Sequence, residues 1–162
     1  MSSHLDDKCI FCAIINGVNM QYPVWDYLLI LYSHVGKIPS FKVYETDLSY
    51  AFLDINPVAD GHTLVIPKYH AKTILDLPDE HLVDIAPILK KIAKATGAEQ
   101  FNVLQNNGEL AFQTVGHVHF HVIPKPNAEE GIKFNLEENW PAKTVEKDVL
   151  AKTAEKIKAA LA

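Results

Sequence analysis

Positive charge is scarce in this sequence of 162 residues: 15 Lys and Arg stand against 20 Asp and Glu, a formal net charge of −5. Holding a nucleic-acid backbone calls for a basic face, so this balance argues against a nucleic-acid polymer as partner. One small nucleotide remains compatible, because helix ends, backbone amides and imidazoles can hold a single phosphate. Cysteine is scarcer still. Cys9 and Cys12 are the two present, which is no disulfide framework in a chain without an export signal. Residues Met1 to Lys8 are polar and include two aspartates, unlike a signal peptide. A long hydrophobic run is missing as well, since the most apolar stretch, Tyr27 to Tyr32, is too short to span a bilayer. The expectation is a cytoplasmic protein, with the nucleus also open to it and no membrane partner.

What is present is ordinary for a globular domain: 48% apolar and 22% charged residues. Short apolar or alternating runs predict strands at Phe41–Glu45, Leu48–Asp54, His62–Pro67, Phe101–Gln105 and His117–Ile123. Prolines close the third and fifth, because proline cannot donate to a ladder. Pro78, Asp79 and Glu80 open a helix whose apolar positions are Leu82, Ile85, Leu89, Ile92 and Ala93, and Gly97 closes it. Pro87 inside that pattern is expected to kink or divide the helix. A second amphipathic helix is expected between Lys143 and Leu161, docked on the domain or on a partner. Several connections are too short for parallel crossovers, so the expected fold is α+β with an antiparallel sheet.

Two clusters carry chemistry. Cys9-Ile-Phe-Cys12 reads as half of a zinc site, a redox pair, or two plain thiols. Gly116-His-Val-His-Phe-His-Val-Ile-Pro124 places His117, His119 and His121 on one face of a strand and Val118, Phe120 and Val122 on the other. Packing alone would favour β-branched residues at such positions. Alternating imidazoles can bind a transition metal, or supply a nucleophile with acid–base partners for phosphoryl chemistry.

His-Val-His-Phe-His-Val-Ile resembles the motif of the histidine-triad (HIT) family of nucleotide hydrolases and transferases. Cys9-Ile-Phe-Cys12, Lys42–Glu45, Ala51–Asp54, Gly61–Lys68, Asn106-Asn-Gly108 and Trp140-Pro141 stand in the order of its Hint branch. The resemblance implies a five-stranded antiparallel sheet with one main helix, and a homodimer whose sheets join into ten strands. It implies hydrolysis of the P–N bond in purine nucleotide (AMP- or GMP-type) phosphoramidates. His119 is then the nucleophile, flanked by His117 and His121, with His62 extending the hydrogen-bond chain. Asp54 corresponds to the ribose-binding carboxylate and Asn106 to the amide near the phosphate. Phe52, Ile55 and Leu64 suit the purine, and Trp140 the aromatic that reaches toward the partner's site. Thr114 stands where this branch generally has serine. Gln113-Thr114 is closer to the sister branch that cleaves dinucleoside polyphosphates. Some members hold a structural zinc, for which Cys9, Cys12, His70 and His117 are the candidates here; no organic cofactor is implied.

The expected organisation is a tail at 1–8, a HIT domain at 9–126 and an extension at 127–162. Residues 18–35 interrupt the family pattern with an apolar, aromatic-rich insertion, including Trp25 and Tyr27. It is either an added packing element or translated intervening sequence, and sequencing the processed transcript separates the two. Beside phosphoramidase and dinucleoside polyphosphate hydrolase, the third expectation is a zinc-stabilised nucleotide-binding or scaffold module.

Overall fold

Five short strands form one antiparallel sheet in the structure, a computed structural model that describes residues 4–17, 40–135, 138 and 140–162. The strands are β1 (Lys42–Glu45), β2 (Ser49–Leu53), β3 (Thr63–Pro67), β4 (Phe101–Gln105) and β5 (Phe120–Pro124). Their order across the sheet is β1-β2-β3-β5-β4. Three helices accompany them: α1 (Ile10–Asn16), α2 (Asp79–Ala95) and α3 (Lys147–Leu161). Residues 18–35, the insertion of the sequence pattern, lie outside the described residues.

The central strands are buried on both faces, which explains their nearly unbroken apolar sequences. Ala51 and Val65 pack with Val118 and Val122 against Ile85, Ile88, Ile92 and Ala93 of α2. The alternate residues Tyr50, Phe52, Leu64 and Ile66 pack against Cys9, Phe11, Cys12 and Ile14 around α1. The histidine-bearing segment runs between these layers, its valines in the first.

Of the two expectations for Pro87, division is ruled out: α2 runs unbroken over 17 residues. Pro87 and Val83, whose carbonyl loses its i+4 donor, both lie on the exposed face, where water can bond the freed oxygen. The fifth strand begins at Phe120, not His117. The register that pairs Val65 with Phe120 would set Pro67 opposite Val118, and proline has no N–H to give. The Val118 N–H donates instead to Ala71 O at 2.8 Å. The alternation of faces survives without the ladder.

Residues Lys133–Ala162 form a second compact unit. It holds α3, none of whose residues is buried, and an edge-to-face contact of Phe134 with Trp140 at 5.4 Å. Among the described residues no helix is long and apolar enough to cross a membrane.

Candidate active site and metal centre

Cys9 stands at the N-cap of α1 and Cys12 one turn later, so both sulfurs point to one side of a helix that packs on the sheet. His117 enters from the segment before β5 and His70 from the loop after β3. The Nδ1 atom of His117 lies 3.4 Å from Cys9 Sγ, 3.5 Å from Cys12 Sγ and 3.3 Å from His70 Nδ1. His70 Nδ1 is 3.3 Å from Cys12 Sγ. His117 is wholly buried, and its Nε2–H donates to Pro67 O at 2.9 Å. That bond fixes the tautomer and leaves the Nδ1 lone pair facing the sulfurs. Burial, with the neighbouring His70 and His119 rings, holds His117 down at about 4. Burial pushes the Cys12 thiol up to about 12. These four side chains can hold a metal ion.

Two residues on, the logic reverses. His119 Nδ1–H donates to the backbone carbonyl of His117 at 2.6 Å. Its lone pair therefore sits on Nε2, which no hydrogen bond holds among the described residues. Burial keeps its pKa below the ordinary histidine value, so the ring is neutral near pH 7. The ring of Phe11 meets both His117 and His119 edge-on, at 5.8 and 5.3 Å.

His121 continues the row, 5.1 Å ring to ring from His119. Its Nδ1 lies 2.9 Å from His62 Nε2, from the start of β3. The Val58 N–H approaches His62 Nδ1 at 3.4 Å, so His62 holds its proton on Nε2 and donates to His121. His121 then carries its own proton on Nε2. Asp54 Oδ2 stands 3.6 Å from His62 Nδ1, and Oδ1 accepts the Asn56 N–H at 2.8 Å. Burial lowers His62 against the opposing pull of Asp54. Burial and two neighbouring imidazoles hold His121 at about 4.

The other sequence candidates take different places. Gln113 is buried and fully engaged: its Oε1 accepts the Gly108 N–H, and its Nε2 donates to Lys72 O and Val115 O. It braces a loop. Asn106 donates to Phe112 O at 3.3 Å, and Thr114 is exposed. A cleft of about 650 Å³ borders this loop, lined by Lys72, Asn107, Leu110, Gln113, Thr114 and Gly116. Phe52 and Leu64 are buried in the layer under α1, whereas Ile55 is exposed. Trp140 is 61% exposed and belongs to the second unit. Sequence reasoning missed Phe11, although it lies inside the Cys-x-x-Cys motif. It also missed Pro67, whose carbonyl sets the His117 tautomer and has no sequence signature.

The HIT domain family matches residues 35–128. The chain is similar to adenosine 5'-monophosphoramidase HNT1 of Saccharomyces cerevisiae, 46% identical over 97% of this chain and 85% of that protein. The histidine triad nucleotide-binding protein of Candida albicans superposes with a TM-score of 0.76 at 41% identity, covering 94% of this chain and 96% of the other. A Zn-bound histidine triad family protein of Mycobacterium smegmatis gives 0.60 at 35% identity, over 75% and 78% of the two chains.

Proposed function

This chain belongs to the HIT family, and from that premise we propose that it is an adenosine 5'-monophosphoramidase working through a nucleotidyl-histidine. One observation carries the mechanism: the hydrogen bond from His119 Nδ1 to His117 O, which leaves an unprotonated Nε2 on a neutral ring. That nitrogen attacks the α-phosphorus of an AMP–amine conjugate and the P–N bond breaks with its electron pair on nitrogen. His121 supplies the proton that the departing nitrogen needs. A phosphate anion beside His121 favours the protonated ring, raising it from its low resting value; His121 Nδ1–H then donates to His62 Nε2, and the His62 proton moves to Nδ1, the nitrogen that faces Asp54. Water then attacks the nucleotidyl-His119, gives its proton back through His121, and AMP leaves. His62 and Asp54 hold His121 in register, and Asp54 retains lone pairs for the ribose diol. The chain contains no arginine, and in this reading imidazoles and backbone amides carry the phosphate. Asn106 and Thr114 lie on the loop beside the leaving group in this reading, and Phe52 and Leu64 form the apolar floor beneath the purine, with Ile55 at its rim.

Zinc fits the second cluster on its donor geometry. Tetrahedral zinc, with bonds of about 2.0–2.1 Å to nitrogen and about 2.3 Å to sulfur, sets its ligands about 3.3–3.8 Å apart. The four separations above are 3.3–3.5 Å, and the Zn-bound relative supports the assignment. Held by Cys9, Cys12, His70 and His117, zinc supplies a structural tie between α1 and the histidine segment. The end strand β4, with half-exposed Phe101 and Val103, is where a second copy adds its own β4 to make ten strands, the partner's C-terminal Trp140 then approaching the site. Nothing polymeric or membranous is needed as a partner, and we infer a site of action in the cytoplasm, with the nucleus also open to the protein.

Release of AMP from an adenosine phosphoramidate, beside a diadenosine polyphosphate, tests the assignment. Turnover of the phosphoramidate, with a nucleotidyl adduct trapped on His119 by rapid quench, is expected. The Gln113-Thr114 pair favoured the polyphosphate reading, but both polar atoms of Gln113 are already hydrogen-bonded within the protein. Preference for the polyphosphate overturns the assignment, and no turnover of either by folded protein makes the chain a binding module.

A further inference from the structure

The N-terminal segment, a polar tail in the sequence, is fastened to the metal centre at four points. The Asp6 carbonyl accepts the Cys9 N–H at 3.0 Å, and the Asp6 N–H points at Cys12 Sγ at 3.4 Å. The His4 carbonyl accepts the His70 N–H at 3.0 Å, and the His4 ring stacks on Tyr69 at 4.4 Å between centroids. These contacts set the Asp6 carboxylate 3.8 Å from His70 Nε2, the ring nitrogen opposite the one that faces the cluster.

We propose that Asp6 is a positioning residue of the metal centre: its carboxylate, at ion-pair distance in this structure and one small side-chain rotation from a direct hydrogen bond, holds the proton of His70 on Nε2 and turns the Nδ1 lone pair toward Cys12 and His117. The inference rests on the metal reading above. His70 would then be treated as His117 is by Pro67 O, one imidazole polarised by a carbonyl and the other by a carboxylate. A metal-bound imidazole commonly has such an acceptor on its second nitrogen, and losing it costs about 10- to 100-fold in metal affinity. His70 needs a dedicated partner more than His117 does. It stands on a loop and is partly exposed, where water competes for Nε2, whereas His117 is sealed in the core.

The test is zinc affinity of the full chain by competition with a chromophoric chelator, together with the His70 tautomer read from long-range 15N–1H couplings of the ring. Wild type is expected to bind one zinc per chain with His70 as the Nε2–H tautomer. Asp6→Ala should weaken zinc by about 10- to 100-fold and mix the His70 tautomers in the metal-free protein. Asp6→Asn, which keeps an acceptor oxygen but not the charge, should fall between. Asp7→Ala, at the exposed neighbouring carboxylate, should match wild type. Unchanged affinity and tautomer in Asp6→Ala overturn the role of Asp6 while leaving the metal centre in place. Wild type that takes up no zinc overturns the metal reading and this inference with it. Equal losses in Asp6→Ala and Asp7→Ala reduce the effect to net charge and overturn it too.

Discussion

At the His117 end of the triad segment every donor atom turns inward on other donors, whereas at the His119–His121 end a ring nitrogen is left free. Both ends use neutral imidazoles on one short stretch of backbone, His117 and His119 buried and His121 half-buried. The difference lies in which nitrogen the backbone claims. Pro67 O takes the Nε2 proton of His117 and leaves Nδ1 for a cluster of soft ligands. His117 O takes the Nδ1 proton of His119 and leaves Nε2 for a phosphorus atom. Ligand and nucleophile are thus separated by tautomer, and His117 belongs to both ends through its ring on one side and its carbonyl on the other.

That separation breaks most sharply under two substitutions. His119→Ala removes the nucleophile and should lower phosphoramidate turnover by about four orders of magnitude or more, the scale seen when a nucleophile is deleted. Zinc stoichiometry should stay at the wild-type value, because His119 is outside the donor cluster. His117→Ala should lose both, since it deletes a ligand and unpins the segment that carries His119. Steady-state rates and metal content of the two purified variants decide the matter. Turnover kept in His117→Ala would mean that the two ends are not coupled.

This arrangement is partly legible in the sequence. Short apolar or alternating runs bounded by turn residues locate all five strands within a few residues, because these signals are local. Alternation of faces also places the three histidines on one side. The start of β5 was not legible, since it depends on Pro67 falling opposite Val118, and register is a property of two strands. Asp6 and Phe11 escaped for a related reason: they reach His70 and the triad across 64 and more than 100 residues of chain. Gln113, singled out for its likeness to the sister branch, hydrogen-bonds Gly108, Lys72 and Val115, three partners that no sequence motif marks.

A smaller effect sharpens the open end. Asp54→Asn leaves an amide where a carboxylate now faces His62 at 3.6 Å and accepts the Asn56 N–H. A hydrogen bond to a charged group contributes about 1.5–3 kcal/mol, so kcat/KM should fall by about 10- to 150-fold. The loss should be larger for a ribonucleotide substrate than for its 2'-deoxy analogue, whose missing hydroxyl already forgoes the contact. An equal loss for both would restrict Asp54 to holding His62.

The smallest effect is on pH-dependent stability. His121 is held at about 4 in the folded protein by burial, then by the His119 and His62 rings, with Asp54 opposing. In the unfolded chain it returns to roughly 6.5. Above that value both states carry the neutral ring and the full stability is present. As pH falls from about 6.5 toward 4 the unfolded state takes up a proton that the folded state refuses, so stability declines through that window. His121→Asn removes this proton uptake, and its Tm should fall less steeply between pH 7 and 4 than that of wild type. Comparing the two at equal zinc content cancels the contribution of the cysteine–histidine end, where acid acts by displacing metal from its ligands. Parallel Tm curves would show that His121 is not desolvated in the folded state, and the contrast between a sealed and an open end would then rest on the tautomers alone.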